Sequence, residues 1–513
     1  MVLMEAKWLR NLFRRRLFVC LLILGQIATL ILLLYNGAKV YVPVSAGLTV
    51  ISLLITLFII SKRGKNAFKL TWVFTILSFP IFGGFFYLLF RVQNSGTKMK
   101  KFSSEVKGKV DGVYEYGEDV FEEAKQEYRH YAQDINYLYK YAGFPVYKNT
   151  VAKYLTPGEK KLEALIRELK NAQGYIFLEY FIIDDGQMWN AILDVLKEKV
   201  SQGVEVRILF DDIGCFLRIP PNYTKKLESY GIKCTVFNPF RPVFSATQNN
   251  RDHRKIAVID GKVAFTGGIN IADEYINAYE KHGHWKDASV MLKGDAAWSF
   301  TVMYLQMWAI CNNGKLDDIE KYRPSEREIM TDGGYYQPYS DSPLDREHVS
   351  EHIYMKIISS AKDYVYINTP YLILDDNMVS ALTLAAKSGV DVRICTPKIY
   401  DKKLVHMTTV SYYRELIEDG VKIYEYTPGF MHAKTFVSDD ITATVGTANL
   451  DFRSLYLHYE CGVRIYGGDV IAEMKKDYLS TIEKCEEITL EKCKAGFFKS
   501  LWQSVLRIFA PLL

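Results

Sequence analysis

The sequence lacks the short motifs that mark nucleotide-binding and zinc-binding proteins. It has no GxxxxGK[ST] loop and no GxGxxG fingerprint, so nothing in it predicts a bound nucleotide. Its eight cysteines are scattered, without a CxxC pair or metal-ligand spacing. The net positive charge is also small, since 64 Lys and Arg against 59 Asp and Glu leave a net charge of +5. That excess is too small for a duplex groove. We therefore predict no cofactor, no metal and no nucleic-acid partner.

Long apolar runs, in contrast, are concentrated in the first ninety residues, at 17–34, 42–60 and 70–90. Each is about long enough to cross a hydrocarbon core of roughly 30 Å as a helix. A cleaved signal peptide is the alternative for the first run, but no small-residue cleavage site clearly follows it. Basic residues flank the runs and give conflicting orientations. We predict a multi-pass protein of the cell membrane, with two or three transmembrane segments in residues 1–95.

The rest of the chain reads as a linker, an internal duplication and a tail. Residues 96–155 are polar and predict a linker with a solvated helical segment. The order strand, helix, strand then occurs twice, and "QGVEVRILFDD" and "SGVDVRICTPK" follow one template. The predicted fold class is α/β, with two lobes that each hold a β-sheet flanked by helices. The predicted domain bounds are 156–325 for the first lobe, 326–488 for the second lobe, and 489–513 for an amphipathic C-terminal helix.

The duplication carries two copies of the pattern HxKxxxxD in register. The six predicted catalytic residues are His253, Lys255, Asp260, His432, Lys434 and Asp439. Gly267 and Asn270 after the first copy match Gly446 and Asn449 after the second. Two such copies in register arise by chance on the order of one time in a thousand, given ordinary residue usage. The paired pattern is therefore a strong indication of a site where either copy alone is weak.

These residue types fit the cleavage of a phosphodiester. The apolar residues of "HRKIAVID" predict a strand, on which His253 and Lys255 share a face. One neutral histidine can attack phosphorus, while the other, protonated, can protonate the leaving oxygen. Lys255 and Lys434, with Asn270 and Asn449, can donate to the phosphoryl oxygens.

A histidine in such a role needs an acceptor on its second ring nitrogen. Alignment of "HWKDASV" with "LHYECGV" places Asp287 opposite Glu460, and both are candidates for this orienting role. Asp260 and Asp439 stand at strand ends before turns, where a structural role is favoured over a chemical one.

The remaining histidines and the tail favour plainer interpretations. His348 and His352 are four residues apart on a predicted helix, which favours a solvated face over a metal pair. His282, His284 and His458 lie near the predicted acids, where packing is the favoured role. In residues 497–509 one helical face is apolar, which indicates an interfacial helix; a helix docked on the body is the alternative.

The paired motifs resemble those of the phospholipase D superfamily, and further segments narrow the resemblance to bacterial cardiolipin synthases. These segments are "NNRDHRKIAVIDGKVAFTGGINIADEY", "GTANLDFRS", "LEYFII", "NTPYLI", "FNP", the apolar segment at 72–90 and the ending "RIFAPLL". The resemblance covers nearly everything from about residue 70 to the end. It implies two transmembrane spans, so that the first apolar run is an addition.

The resemblance also implies a reaction. Two phosphatidylglycerol molecules are joined into cardiolipin with release of glycerol, in a ping-pong cycle that needs no nucleotide. His253 is then the nucleophile, and His432 is the acid and later the base. A hydrolytic phospholipase D and a phosphatidylserine synthase remain alternatives because both share the histidine pair. A nuclease is disfavoured by the apolar runs, and a non-enzymatic membrane scaffold by the two intact motifs.

Overall fold

In the computed structural model of this chain, the described residues are 38–79, 83–84, 87–88, 95–110, 112–114, 117–240, 246–326, 328–345 and 347–512. They fall into two units. The smaller unit contains the N-terminal helices together with Phe240–Asn249 and Arg507–Leu512. The larger unit contains Lys98–Pro239 and Asn250–Leu506.

The smaller unit is built on the helices Ala38–Ser61 and Asn66–Ser78. They cover the second predicted apolar run and the start of the third, whereas the first run lies outside the described residues. Large apolar side chains such as Leu54 and Leu57 on the first helix are exposed. Among the residues described, no helix reaches the length and apolar character needed to span a membrane.

The C-terminal helix Phe497–Phe509 begins with exposed side chains and ends packed on protein. Phe498 is 83% exposed, and Trp502 is half-exposed. At the other end, Thr71 Oγ1 donates to the carbonyl of Ile508 at 2.6 Å, and the Phe509 ring lies 5.6 Å from that of Phe74. The predicted apolar face is thus divided between a docked end and an exposed beginning.

The larger unit holds two lobes with matching sheets. The strands of the first lobe are β1 (Thr150–Leu155), β2 (Tyr175–Tyr180), β3 (Glu205–Asp211), β4 (Lys233–Phe237), β5 (Lys255–Ile259), β6 (Val263–Gly267), β7 (His284–Lys286) and β8 (Ser289–Gly294). The strands of the second lobe are β9 (Tyr335–Asp341), β10 (Tyr364–Asn368), β11 (Asp391–Pro397), β12 (Lys422–Tyr426), β13 (Gly429–Met431), β14 (Thr435–Ser438), β15 (Thr442–Gly446), β16 (Glu460–Tyr466) and β17 (Cys485–Ile488).

The strand orders show that both lobes follow one topology. The first sheet runs β1-β8-β6-β5-β2-β3-β4, and the second runs β9-β16-β15-β14-β10-β11-β12-β17. In each sheet three strands are parallel, and the strand after the HxK residues joins them antiparallel. Every residue of β2 and β10 is buried, because helices cover the sheet, and this explains their nearly continuous apolar sequence. The predicted duplication of an α/β lobe is therefore present in the fold.

Helices connect and cover these strands. In the larger unit their bounds are Glu118–Glu127, Ala132–Asn136, Gly158–Asn171, Gln187–Ser201, Asp212–Cys215, Tyr223–Ser229, Ala296–Cys311, Val349–Ser360, Asp376–Lys387, Lys403–Glu418, Phe452–Tyr456 and Val470–Ile482, with Ser95–Val110 at its beginning. The core of the first lobe forms where Gln187–Ser201 packs on the sheet, with Trp189 and Ile192 fully buried.

The segment predicted as a linker, 96–155, belongs instead to the folded body. Phe121, Tyr131 and Ile135 form a buried cluster with Tyr335 of the edge strand β9 and Tyr466 of the adjacent strand β16. Strand β1 lies inside the same segment and pairs along its whole length with β8. The sequence predicted a linker because most residues of these helices are polar and only a narrow face is buried. The first lobe begins at Thr150 rather than at residue 156.

Asp260 and Asp439 tie each HxK strand to the neighbouring parallel strand. The Asp260 carboxylate accepts the backbone N–H groups of residues 173–175 at 2.7 to 2.8 Å. Asp439 accepts those of residues 362–364 at 2.8 to 3.0 Å. Each carboxylate therefore binds the backbone at the start of β2 or β10. It does not bind the backbone of its own turn, as expected for an aspartate at a strand end. Both aspartates stand at the opposite end of their strands from the lysines, which favours a structural role, while their place in the catalytic set stays a prediction.

We expect Asp260→Asn and Asp439→Asn each to destabilise the fold by about 1–3 kcal/mol, because a charged acceptor shared by three backbone N–H groups is replaced by a neutral amide. Asparagine tolerates the positive φ of 52° and 56° at these positions, so backbone strain does not confound the result. Urea unfolding of the purified protein measures the effect, with the exposed Asp194→Asn as the control. Loss of turnover without loss of stability would contradict this assignment.

Candidate active site

The HxK residues lie at the beginning of β5 and β14, and the first pair falls where the sequence predicted a strand. His253 precedes β5, whose first residue is Lys255, and His432 and Lys434 both precede β14. The backbone of each histidine is bonded to the opposite lobe. His253 N–H donates to the carbonyl of Tyr459 at 3.0 Å, and His432 N–H donates to that of Lys286 at 2.7 Å. These extended segments therefore join the lobes at the site.

Because Tyr459 and Lys286 directly precede Glu460 and Asp287, this backbone pairing brings each histidine to an acid of the other lobe. His253 Nδ1 lies 2.9 Å from Glu460 Oε1, and His432 Nδ1 lies 2.6 Å from Asp287 Oδ2. A carboxylate only accepts, so Nδ1 carries the proton and Nε2 keeps its lone pair in the neutral ring. The alignment predicted both acids as orienting residues, and the structure places each acid against the histidine of the other lobe.

Each acid is held by its own lobe through its second oxygen. Thr447 Oγ1 donates to Glu460 Oε2 at 2.5 Å, and the N–H of Ala288 donates to Asp287 Oδ1 at 2.7 Å. Gly268 occupies the position of Thr447 in the first lobe. A Cβ there would stand 2.1 Å from Asp287 Oδ1, so this glycine is required by the close approach of the carboxylate.

The two lysines bring positive charge into the same buried region. Lys255 and Lys434 are each only 1% exposed. Lys255 Nζ donates to the carbonyl of His253 at 2.5 Å, and Lys434 Nζ donates to that of His432 and lies 3.0 Å from its Nδ1. The lysines are therefore fixed beside the histidines without a carboxylate partner of their own within hydrogen-bond distance among the described residues.

Burial controls the protonation of this group. It lowers the pKa of His432 to about 4, with the Lys434 charge adding to the shift and Asp287 opposing it. Burial and then Lys255 and Lys434 hold the pKa of His253 well below its usual value. Burial also lowers the pKa of Lys255 to about 8 and that of Lys434 to about 7. In the free site burial therefore favours the neutral form of both histidines, and an arriving anion would favour protonation.

The predicted asparagines are near the site but already bonded. Asn270 accepts the N–H of Ile182 at 3.0 Å and donates to the Tyr275 hydroxyl at 2.8 Å. Asn449 Nδ2 donates to Asp451 at 3.0 Å, while its buried Oδ1 has no partner among the described residues. Each amide keeps one N–H for a ligand, so phosphoryl contact remains a prediction.

Several neighbours were not among the predicted site residues. The rings of Phe181 and His458 lie 5.0 and 5.6 Å from His253, and those of Trp285 and Tyr275 lie 5.2 and 5.4 Å from His432. These rings help to exclude water. Trp285 and His458 stand two residues before the two acids, and this matched spacing could have identified them.

Lys161 was missed for a different reason. It reaches the site from the helix Gly158–Asn171, donates to the carbonyl of Ile269 at 2.8 Å, and burial lowers its pKa to about 7. Nothing in its local sequence distinguishes it from a surface lysine.

The other histidines lie in ordinary surroundings. His352 Nδ1 contacts Glu347 at 3.0 Å on a partly exposed face, and His284 Nδ1 lies 3.0 Å from the Tyr426 hydroxyl. His348 precedes the helix that carries His352, with its ring against Tyr456.

Comparison with solved structures agrees with the fold. A crystal structure of phosphatidylserine synthase from Haemophilus influenzae Rd KW20 matches with a TM-score of 0.56 at 14% identity, over 72% of this chain and 94% of that one. At this identity the likeness concerns the two-lobed fold alone.

Sequence comparisons identify the family. The description "Cardiolipin synthase, PLD-like domain" matches residues 165–283 and 354–481, and "Phospholipase_D-nuclease N-terminal" matches 47–91. An uncharacterized protein of Streptococcus mutans is 44% identical over 89% of this chain and 99% of its own length. A cardiolipin synthase of Alkalihalophilus pseudofirmus is 34% identical over 86% of this chain and 88% of its own. The repeated domain, which covers both HxK pairs, and the similarity to this cardiolipin synthase over most of both chains together show that this chain belongs to the cardiolipin synthase family of phospholipase D-like enzymes.

Proposed function

We propose that this protein joins two phosphatidylglycerol molecules into cardiolipin and glycerol through a phosphohistidine intermediate. The observation that carries the proposal is the crossed pair of histidine–carboxylate contacts, His253 with Glu460 and His432 with Asp287. These contacts orient two imidazoles through their Nδ1 atoms. Two lysines lie beside the imidazoles, and the whole site is largely buried.

In the first half-reaction the phosphodiester anion lies between Lys255 and Lys434. Its negative charge offsets their mutual repulsion and raises the pKa of the nearby imidazoles. Neutral His253 attacks phosphorus through Nε2 while Glu460 holds its Nδ1 proton. The bond between phosphorus and the glycerol oxygen breaks, and protonated His432 gives its Nε2 proton to that oxygen.

In the second half-reaction His432, now neutral, takes the proton from a hydroxyl of a second phosphatidylglycerol. That oxygen attacks phosphorus, the bond to His253 breaks, and cardiolipin is released with both histidines in their initial states. Asp287 stabilises the imidazolium form of His432 in each half-reaction, as an orienting carboxylate does for a general acid.

Transfer rather than hydrolysis follows from the surroundings of the pair. His253 and His432 are 8% and 7% exposed, and aromatic rings pack against both. A lipid hydroxyl at high local concentration then meets the intermediate more often than a productive water molecule does. Phospholipase D and phosphatidylserine synthase activities remain the alternatives, since they differ only in the acceptor molecule that attacks the intermediate.

Membrane attachment completes the proposal. The match at 47–91 spans the second and third apolar runs, and apolar residues of Ala38–Ser61 are exposed. We propose that this region anchors a multi-pass protein in the cell membrane, with the exposed beginning of the C-terminal helix at the lipid interface. Exposed aromatic side chains such as Phe498 and Trp502 favour that position.

Incubation of the purified enzyme with phosphatidylglycerol alone should yield cardiolipin and free glycerol in equal amounts, because each transfer releases one glycerol. Mass spectrometry of the lipids and an enzymatic glycerol assay measure the two products. Phosphatidic acid as the main product would indicate a hydrolase, and a strict need for a cytidine-nucleotide-activated lipid would indicate a phosphatidylserine synthase.

Two histidine variants control this experiment. His253→Ala and His432→Ala should each lose at least about 10³-fold in turnover, while His282→Asn keeps it. Quenching the wild type in alkaline denaturant should trap a phosphate on His253 whose linkage is stable in alkali and labile in acid. Trapping on His432 would exchange the two roles, and substantial activity in either alanine variant would refute the mechanism.

The crossed contacts predict the effects of changing the acids. Glu460→Gln and Asp287→Asn should each lower turnover by roughly 10²–10⁴-fold, because the ring tautomer and orientation are no longer fixed. In spectra of ¹⁵N-histidine-labelled protein, Glu460→Gln should move the signal that His253→Ala removes. Asp287→Asn should move the signal that His432→Ala removes. The opposite pattern would mean that each acid serves its own lobe.

The two ends of the C-terminal helix should respond differently to serine. Phe498→Ser with Trp502→Ser should slow turnover on vesicles several-fold while sparing micellar substrate, because each large side chain contributes about 1.5–3 kcal/mol when it leaves water. Phe509→Ser is the matched control, and should lower thermal stability because its ring packs on Phe74. Equal losses on vesicles and micelles for the double variant would show that the exposed end is not interfacial.

A further inference from the structure

The two halves of the site differ at one matched position. Two residues before Asp287 stands Trp285, whose ring lies 5.2 Å from that of His432. Two residues before Glu460 stands His458, whose ring lies 5.6 Å from that of His253. The His253 half of the site thus contains a third imidazole where the other half contains an indole.

The side chain of this third imidazole is largely buried. Only 10% of the His458 side chain is exposed, and neither ring nitrogen has a hydrogen-bond partner among the residues the structure describes. Its Nδ1 lies 3.9 Å from Glu460 Oε1, too far for a hydrogen bond. Burying an unsatisfied polar group costs about 1–3 kcal/mol, so a water molecule or an ion is expected at such a group.

The spacing of the surrounding atoms favours an ion. One ligand atom from each of His253, His458 and Glu460 lies within 4.8 Å of the others. Tetrahedral zinc has bonds near 2.0–2.1 Å to nitrogen and so separates its ligand atoms by about 3.3 Å. Glu460 Oε1 lies 2.9 Å from His253 Nδ1 and 3.9 Å from His458 Nδ1, on either side of that separation. Two imidazoles and one carboxylate suit zinc and neighbouring transition metals, whereas magnesium and calcium prefer oxygen ligands.

We propose that His253, His458 and Glu460 form an inhibitory site for Zn²⁺ or a similar transition-metal cation. The ligand that makes the site possible is His458. The inhibitory consequence rests on the proposed function, whereas binding of the metal does not.

The chemistry makes metal binding and catalysis mutually exclusive. Neutral His253 carries one proton, on Nδ1, where Glu460 accepts it. A metal that binds Nδ1 takes the lone pair made available when this proton moves to Nε2, and it also engages the Glu460 carboxylate. Nε2–H has no lone pair with which to attack phosphorus. No proton is gained or lost overall, and removal of the metal restores the active tautomer.

The lysines limit the strength of this site. Lys255 and Lys434 both act electrostatically on His253, and their positive charge repels a cation. Binding should therefore be reversible by a chelator, unlike that of a structural zinc site with four closed ligands.

The test measures binding and inhibition separately on the full-length protein in detergent. Titration with ZnCl₂ against a chromophoric chelator gives the zinc stoichiometry, and the phosphatidylglycerol assay gives inhibition relative to each variant's metal-free rate. We expect one zinc per chain and inhibition that a chelator reverses. Mg²⁺ at the same concentration should have no effect.

Variants identify the ligand. His458→Asn should weaken both zinc binding and inhibition by about 100-fold or more, since even outer partners of metal ligands contribute 10–100-fold. His458→Gln is a second variant with a different shape, in case the first does not fold. His282→Asn, a nearby histidine outside the three, is the matched control and should bind zinc as the wild type does.

Equal zinc binding by the wild type and a folded His458 variant would overturn the proposal, as would the absence of zinc binding by the wild type. Binding that needs His458 but leaves turnover unchanged would overturn its inhibitory role. If the enzyme proves to be a hydrolase, the same binding result still supports the metal site, and only the proposed reaction fails.

Discussion

The exchange of acids between the lobes is the contact on which the site depends. Strands β7 and β13 pair in parallel, and the bridge between Asp252 and Tyr459 repeats that pairing on the other side. Each places a histidine of one lobe beside a carboxylate of the other. Neither lobe alone holds His253 with Glu460 or His432 with Asp287, so the chemistry requires both lobes in their correct arrangement. Because the histidines are joined through backbone as well as side-chain bonds, a small shift between lobes would disturb both.

The sequence predicted the parts of this site better than their connections. The register of the two HxK pairs located the histidines and lysines, and the same alignment located Asp287 and Glu460. Alignment shows which positions are equivalent, however, and equivalence does not say which histidine an acid contacts. That choice depends on the pairing of short extended segments, and segments of three residues carry no pattern of their own. The spacing of each motif also places its final aspartate at the opposite end of the strand from its lysine, so the spacing alone does not say which of these residues share a site.

Some elements of the fold were likewise predictable from the sequence and others were not. The buried parallel strands were predictable because covered sheets impose long apolar runs. The segment 96–155 was misjudged because its helices bury only one narrow face, with Phe121 and Tyr131 among charged neighbours. Strand β1 was missed because its partner β8 lies far along the chain. The local sequence therefore predicted the elements that are buried on both faces, and it did not predict those that are buried on one face.

The two lobes share one template, yet the reaction needs its histidines to do different things. Identical surroundings would give both imidazoles the same preference for a proton, and neither would be favoured as nucleophile or acid. The differences lie close to the rings: Glu460 is held by Thr447 and flanked by His458, whereas Asp287 is held by a backbone N–H and flanked by Trp285. Duplication therefore supplied the positions of two equivalent imidazoles, and divergence of their immediate neighbours supplied the asymmetry that a two-step transfer requires.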